Sequence, residues 1–190
     1  MIALIVLGLL AFAVIGFVAY FFTVYNGLVV VKNNIDKAWA NIDVLLKQRH
    51  DEIPKLIKAC ESYMKYEKDT LTKIVQLRES AAGATGVARR AEAEGQLSAG
   101  LRQLFAVAEN YPELKSQASF QQLQGRISDL ESQLADRREF YNESVNNYNI
   151  RIQSLPDSFV AAFMHLLPHE MFKVAEADRQ DVDINIQQPA

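Results

Sequence analysis

The chain has 190 residues, of which 49% are hydrophobic and 23% charged, with a formal net charge of −3 at pH 7. This length suits one soluble domain of roughly 100–150 residues with one additional element, and argues against a second full domain. A mildly acidic chain lacks the one-sided basic field that nucleic-acid binding requires, which argues against nucleic acid as a partner.

The first element is an apolar run from Ile2 to Phe22 that contains no charged, Asn, Gln, Pro or Ser residue. A helix of about 21 residues spans roughly 30 Å, the thickness of a bilayer hydrocarbon core. Tyr20 and Tyr25 fall where an aromatic belt meets the headgroups, and Asn26 begins the polar sequence. The pattern therefore predicts a transmembrane helix over residues 1–25 and a lipid bilayer as a partner.

A cleaved signal peptide is the competing interpretation of the same run. Ala11, Phe12 and Ala13 supply a small-x-small site of the kind that signal peptidases accept. However, no basic residue precedes the run, and the run continues past Ala13 as far as Phe22. Both features favour a retained anchor.

Lys and Arg near the ends of the span predict its orientation. The N-terminal side offers only its α-amine, whereas the C-terminal side offers Lys32, Lys37, Lys47 and Arg49. We therefore expect the N-terminus outside and the bundle in the cytoplasm, with a periplasmic bundle as the alternative. The lone Cys60 agrees with this, because a disulfide framework needs pairs, and a cysteine on an apolar face is usually packed.

After the span, apolar residues recur at alternating steps of three and four, as one helical stripe requires. This stripe comprises Leu28, Val31, Ile35, Ala38, Ile42 and Leu45. Since only the tolerable Gly27 interrupts the preceding residues, the span and this segment are expected to form one rigid rod of about 50 residues. Residues 49–54 then predict a turn, with Asp51 as N-cap and Pro54 in the first turn of a second helix.

The second helix is expected to end between Gly83 and Gly86, and a weaker third helix covers Val87 to Asn110 before a boundary at Pro112. The fourth helix has a heptad pattern sustained over about five repeats, which predicts coiled-coil-like packing. Its stripe comprises Phe120, Leu123, Ile127, Leu130, Leu134, Tyr141, Val145, Tyr148, Ile152 and Leu155. Pro156 is expected to stop this helix.

A short helix capped by Asp157 is expected to continue to Leu167, where Pro168 stops it. In the polar tail, Val182, Ile184 and Ile186 alternate as in a strand, although an unstructured end is the more usual outcome. The predicted fold is therefore all-α: an N-terminal transmembrane helix that continues into an elongated antiparallel bundle of about four long helices plus one short C-terminal helix. The bundle domain covers residues 26–172 and the polar tail residues 173–190.

Few residues suggest a catalytic or metal-binding site. Of the histidines His50, His165 and His169, the last two are spaced as two metal ligands on one helical face would be, and Glu170 follows them. Pro168 between them breaks that helix, and the order does not match the His-Glu-x-x-His motif. Because the chain also lacks a phosphate-binding glycine loop, a nucleophile elbow and a Cys-x-x-Cys motif, we predict no catalytic, cofactor-binding or metal site.

Asp36, Asp43, Arg49 and Asp51 lie near the apolar stripe of the first helix. They could be taken as paired carboxylates for acid–base work. A structural role is the better interpretation. Asp43, one turn from Trp39, is expected to pair with Arg137 or Arg138 in the one polar layer of the fourth helix, because such a layer fixes helix register at some cost in stability.

Three stretches together resemble the bacterial LemA family. They are YNGLVVVKNNIDKAWANIDVLLKQRHDEIPKL at residues 25–56, AENYPELKSQASFQQLQ at 108–124 and RREFYNESVNNYN at 137–149. The combination of AWANID, DEIP, ENYPEL and FYNESVNNYN is specific to that family. The C-terminal HLLPHEMFKVAEADRQDVDINI resembles the family's aromatic, acidic tail only loosely.

The resemblance implies a single-pass protein of the bacterial inner membrane with a long antiparallel helical bundle and no established enzymatic activity. Some relatives are linked to membrane biogenesis, notably of magnetosomes. The sequence therefore predicts a non-enzymatic, membrane-anchored scaffold that forms homo-oligomers and organises or shapes the membrane. The alternative is a membrane-tethered adaptor or regulator of another membrane protein or protease. An enzyme acting near the membrane is a third hypothesis.

Overall fold

The computed structural model describes residues 1–173. Within this range the chain forms six α-helices and no strand, which confirms the predicted all-α bundle. The helices are α1 (Ile2–Glu61), α2 (Lys68–Gly83), α3 (Val87–Ala108), α4 (Pro112–Lys115), α5 (Ala118–Gln153) and α6 (Asp157–Phe163). The predicted strand residues Val182, Ile184 and Ile186 lie outside the described residues. The domain boundaries 1–25, 26–172 and 173–190 stay predictions.

The N-terminal part of α1 fits a membrane anchor by its length and composition. Its most apolar 18-residue window has a mean hydropathy of 3.0, and none of this window is buried by the rest of the protein. Among the described helices it is the one that satisfies both criteria. The prediction of an apolar N-terminal helix is thus confirmed.

The predicted turn at residues 49–54 is wrong, because α1 continues through it as far as Glu61 and contains Pro54. Proline has no N–H, so it leaves the carbonyl four residues earlier without its helical partner. That carbonyl belongs to His50, and the Nε of Arg78 on α2 donates a hydrogen bond to it at 2.8 Å. A side chain from a neighbouring helix thus satisfies the acceptor, and Asp51 caps no helix end.

Two compact units can be distinguished along the chain, and α1 and α5 contribute to both. The first unit comprises Met1–Leu45 and Leu134–Met171. In it α1 and α5 run antiparallel, since Gly27 on α1 meets Arg151 on α5 and Trp39 meets Tyr141. The core of this pairing comprises Leu28, Ile35, Ala38, Ile42, Leu134, Tyr141, Val145, Tyr148 and Ile152.

The second unit comprises Leu46–Gln133 together with Phe172 and Lys173 of the described residues. Its core includes Ile53, Leu56, Cys60, Met64, Ile74, Leu97, Leu101, Leu104, Leu114, Phe120 and Ile127. Helices α2 and α3 approach closely at Gly100, where an added Cβ would lie 2.8 Å from Leu77 Cδ1 and 3.0 Å from Ile74 Cδ1. This approach accounts for a glycine inside α3 despite its low helix propensity.

The predicted second helix is interrupted, because α1 ends at Glu61 and α2 begins only at Lys68. The next helix ends lie close to glycine or proline residues. Helix α2 ends at Gly83, and Gly86 precedes α3 with a φ of 84°, a left-handed conformation that suits glycine. The predicted boundary at Pro112 lies between α3, which ends at Ala108, and the short helix α4, which begins at Pro112.

Three expectations near the C-terminal end are wrong. The short helix α6 ends at Phe163 rather than Leu167, and Asp157 is its first residue, with its carboxylate 2.5 Å from Arg151 Nε rather than capping the helix. Leu155 lies beyond the end of α5 and is exposed, although the rest of the predicted α5 stripe is buried or partly buried. The coiled-coil geometry of this stripe stays a prediction.

Candidate functional site

A buried polar cluster lies in the second unit and comprises Arg49, His50, Glu94, Ser98 and Glu131; we call it the Arg49 cluster. The Arg49 side chain is 0% exposed, and its Nη2 pairs with the Glu94 carboxylate on α3. Its Nη1 pairs with Glu131 on α5 and donates to Ser98 Oγ at 2.8 Å. Ser98 in turn donates to Glu131 Oε2 at 2.8 Å. One guanidinium therefore connects three helices.

The Glu94 carboxyl is held in its ionised form. Burial by itself raises the pKa of this group, but the hydrogen bond from His50 and the charge of Arg49 lower it by more, so the pKa lies below its ordinary value. The His50 Nε2 lies 3.2 Å from Glu94 Oε1. The Arg49 guanidinium thus faces two carboxylates, those of Glu94 and Glu131, and its charge stabilises the ionised form of Glu94.

The sequence contained a signal for this cluster. Arg49 lies one turn from Leu45 and one turn from Ile53 on the apolar stripe of α1, and Glu94 lies between Ala91 and Leu97 on that of α3. Charged residues at stripe positions indicate buried polar partners. The pairing itself could not be predicted, because periodicity does not say which helices meet.

The three acidic residues considered together with Arg49 are not part of the cluster. Asp36, Asp43 and Asp51 are exposed, whereas Arg49 is fully buried. The pairing of Asp43 with Arg137 or Arg138 stays a prediction.

A second ionic contact joins α1 to α5 within the same unit. The side chain of Glu52 is 5% exposed and lies 3.1 Å from Arg126 Nε and 3.1 Å from Lys55 Nζ. Glu52 belongs to the DEIP stretch, so this part of the motif holds two helices together.

In the first unit, side chains of α5 hold the main chain of residues 167–170; we call this arrangement the C-terminal clasp. Asn149 Nδ2 donates to the His169 carbonyl at 2.9 Å, and the His169 N–H donates back to Asn149 Oδ1 at 2.9 Å. Tyr148 donates to the Leu167 carbonyl and Tyr141 to the Glu170 carbonyl, each at 3.1 Å. The clasp thus satisfies backbone groups that belong to no helix.

The two tyrosines of the clasp remain protonated donors. Burial raises the pKa of both phenols, and for Tyr141 the charges of Glu170 and Asp36 raise the pKa further. The FYNESVNNYN stretch at residues 140–149 therefore supplies the side chains that hold this non-helical segment.

Residues 38–186, which include both the Arg49 cluster and the clasp, match the sequence model of the LemA family. This chain belongs to the LemA family. It is similar to Protein LemA of Metamycoplasma hominis, with 26% identity over 171 residues that cover 87% of this chain and 78% of that protein.

Similarity extends to two magnetosome proteins. Magnetosome protein MamQ 2 of Paramagnetospirillum magneticum is 24% identical over 185 residues, which cover 84% of this chain and 67% of that protein. Magnetosome protein MamQ of Magnetospirillum gryphiswaldense is 22% identical over 182 residues, which cover 80% of this chain and 67% of that protein.

The residues His165 and His169 do not share a helical face. Helix α6 ends before both His165 and His169, and His165 has a φ of 52°. The ring of His169 stands edge-on to Tyr148, with centroids 5.1 Å apart. Across residues 1–173, no three His, Cys, Asp or Glu side chains are grouped so that they could hold a metal ion.

Directly after the anchor, α1 presents an exposed row with heptad spacing; we call it the α1 row. It comprises Val30, Asn34, Lys37, Asn41 and Val44. Val30 is 58% exposed and Val44 57% exposed. Alternating steps of four and three place these side chains along one line, which is the spacing used at coiled-coil contacts. The row carries a single charge between apolar and amide side chains.

The cysteine Cys60 belongs to the core of the second unit and is 0% exposed. Burial raises the pKa of its thiol to about 11. Because the thiolate is the reactive form, this thiol is inert in the folded LemA protein, as its position on an apolar face predicts.

Proposed function

We propose that this LemA protein is a non-enzymatic, membrane-anchored helical scaffold that self-associates through the α1 row. The observation that carries the proposal is the position of that row, which follows the anchor directly. Anchored copies share one plane and one orientation, so the same row on two neighbouring copies can meet in parallel. Amide and lysine side chains at such positions specify register at some cost in stability.

The polar contacts of the Arg49 cluster and of the C-terminal clasp support a structural role. The Arg49 cluster pairs one guanidinium with two carboxylates and joins three helices, and the C-terminal clasp is occupied by the protein's own main chain. Buried ion pairs of this kind contribute more to a unique arrangement than to net stability. The similarity to magnetosome proteins supports a role in organising or shaping a membrane.

Cysteine crosslinking in native membranes tests the self-association. Because Cys60 is buried, an introduced exposed cysteine is the reactive thiol. We expect Asn41→Cys to form a crosslinked dimer with a mild oxidant or a short bifunctional reagent. The matched control is Asn146→Cys, which replaces an exposed asparagine on α5 and is expected to crosslink little.

The outcomes separate the candidate functions. A self-crosslinked product specific to position 41 supports the scaffold. Equal self-crosslinking at positions 41 and 146 contradicts association through the α1 row. A single band that contains a different protein, obtained with the bifunctional reagent, favours the adaptor hypothesis instead.

We further propose that the N-terminus lies outside the bacterial inner membrane and the bundle lies in the cytoplasm. The excess of Lys32, Lys37, Lys47 and Arg49 after the span supports this orientation. With Asn146→Cys in spheroplasts, a membrane-impermeant maleimide is expected to label the protein only after lysis. Labelling of intact spheroplasts would assign the bundle to the periplasmic side.

A further inference from the structure

We propose that α6 and the residues flanking it lie in the interfacial layer of the bilayer beside the anchor, as a second point of membrane contact. The inference rests on the proposed anchoring by residues 1–25 and adds a lipid-binding surface that the anchor does not supply.

The surface consists of large apolar side chains that the fold leaves uncovered. Phe159 is 74% exposed and Phe163 70% exposed, and they share one face of α6 because they are four residues apart. Leu155 before the helix is 73% exposed, and Leu167 after it is 76% exposed. Large exposed apolar side chains gathered around one element mark an interaction surface.

The position of α6 indicates what covers this surface. The ring of Phe163 packs edge-on against Phe21, with centroids 5.7 Å apart and an interplanar angle of 77°. Phe21 lies at the end of the apolar run that fits the anchor, where that run meets the headgroup level. Phe163 therefore lies at the same depth as the last apolar turn of the anchor, and the uncovered face of α6 continues the lipid-facing surface of that turn.

The charges near α6 are arranged to tolerate this environment. The carboxylate of Asp157 is paired with Arg151 Nε at 2.5 Å, and Arg151 Nη1 also donates to the Gly27 carbonyl at 3.1 Å. Pairing lowers the cost of placing both charges near hydrocarbon. Arg151 thus links the start of α6 to α1, the helix that leaves the membrane. Because the contact is apolar rather than basic, neutral lipids suffice for it.

A fluorescent probe at position 159 tests the inference in the full chain. The variant Phe159→Cys is labelled with an environment-sensitive maleimide and reconstituted in phosphatidylcholine liposomes. Wild-type protein, whose Cys60 is buried, gives the labelling background. The control variant is Ala135→Cys, an exposed position on α5 about 24 Å further along the helix from Arg151 at 1.5 Å per residue.

We expect nitroxide-labelled lipids to quench the probe at position 159 at least about three-fold more than the probe at position 135, at low and high salt alike. Flotation of the liposomes is measured on the same samples. Equal quenching at both positions in protein that floats overturns the inference and leaves the anchor intact. Failure of the protein to float, or its removal by alkaline carbonate, would overturn the proposed anchoring.

A second variant guards against a local effect of the probe. Phe163→Asp, with the probe still at position 159, is expected to reduce the quenching at that position while flotation persists. Unchanged quenching in this variant contradicts a membrane contact formed by the shared face of Phe159 and Phe163.

Discussion

Pro54 and Arg78 act on the same atom, the carbonyl oxygen of His50. The proline removes the helical donor for this oxygen, and the arginine supplies another from α2 at 2.8 Å. The consequence is that α1 passes through a proline without ending, and that α2 is fastened to α1 at this point.

This relationship predicts an energetic coupling between the two residues. Arg78→Met leaves the His50 carbonyl without its donor and is expected to lower the free energy of unfolding by about 1–3 kcal/mol. In a Pro54→Ala background the restored N–H can bond the carbonyl, so the same change should cost about 1 kcal/mol less. Urea unfolding in mild detergent measures the cycle. Arg89→Met, at an exposed position, is the control, and strict additivity would reject the coupling.

A pH dependence follows from the lowered pKa of Glu94. A carboxyl whose pKa is lower in the folded state stabilises the fold above its unfolded pKa of roughly 4.3 and loses that contribution as the pH falls through its folded pKa. Glu94→Gln should therefore destabilise the protein by about 3 kcal/mol at pH 7 and show a smaller further loss on acidification. Unfolding curves of both proteins at pH 7 and at an acidic pH test this.

The control for that experiment is Glu92→Gln, which makes the same chemical change at an exposed position of α3. It should change stability by no more than about 0.5 kcal/mol. Equal pH dependence of wild type and Glu94→Gln would show that Glu94 has no lowered pKa in the folded state.

The clasp predicts local ordering by Asn149. Asn149→Ala removes both hydrogen bonds to the His169 backbone, so the His169 amide should exchange with solvent at least about tenfold faster. Hydrogen exchange with mass spectrometric detection resolves this segment. Asn146→Ala, one turn earlier and exposed, is expected to leave the exchange unchanged; a similar acceleration in both variants would argue against the clasp.

The predicted ion pair of Asp43 is testable by charge reversal. Asp43→Arg should destabilise the protein, and a second change, Arg137→Asp or Arg138→Asp, should recover about 0.5–1 kcal/mol if the residues pair across the helices. Unfolding free energies of the single and double variants give the coupling. A coupling near zero with both arginines would remove the pairing.

Much of the fold followed from local signals. The end of α2 at Gly83, the boundary at Pro112 and the buried stripe of α5 were all indicated by punctuating residues or by period. The turn assigned to residues 49–54 failed for a physical reason. A proline inside a helix leaves one carbonyl without its helical donor, and here the distant Arg78 supplies another donor to it.

The site was less accessible to sequence reasoning. Arg49 and Glu94 are charged residues on apolar stripes, but their pairing depends on which helices meet, and a single sequence does not show this. The clasp could not be predicted from the sequence for another reason. Asn149 and the two tyrosines bind main-chain atoms, so no complementary side-chain motif exists to be recognised.

Because the clasp binds main-chain atoms, it restricts the side chains of the C-terminal segment very little. Each of these four hydrogen bonds of the clasp ends on a main-chain carbonyl or N–H that any residue could supply, apart from the N–H at position 169, which a proline would lack. Substitutions other than proline at positions 167, 169 and 170 are therefore expected to keep these hydrogen bonds. We expect this stretch to tolerate changes in its side chains while it stays docked on α5.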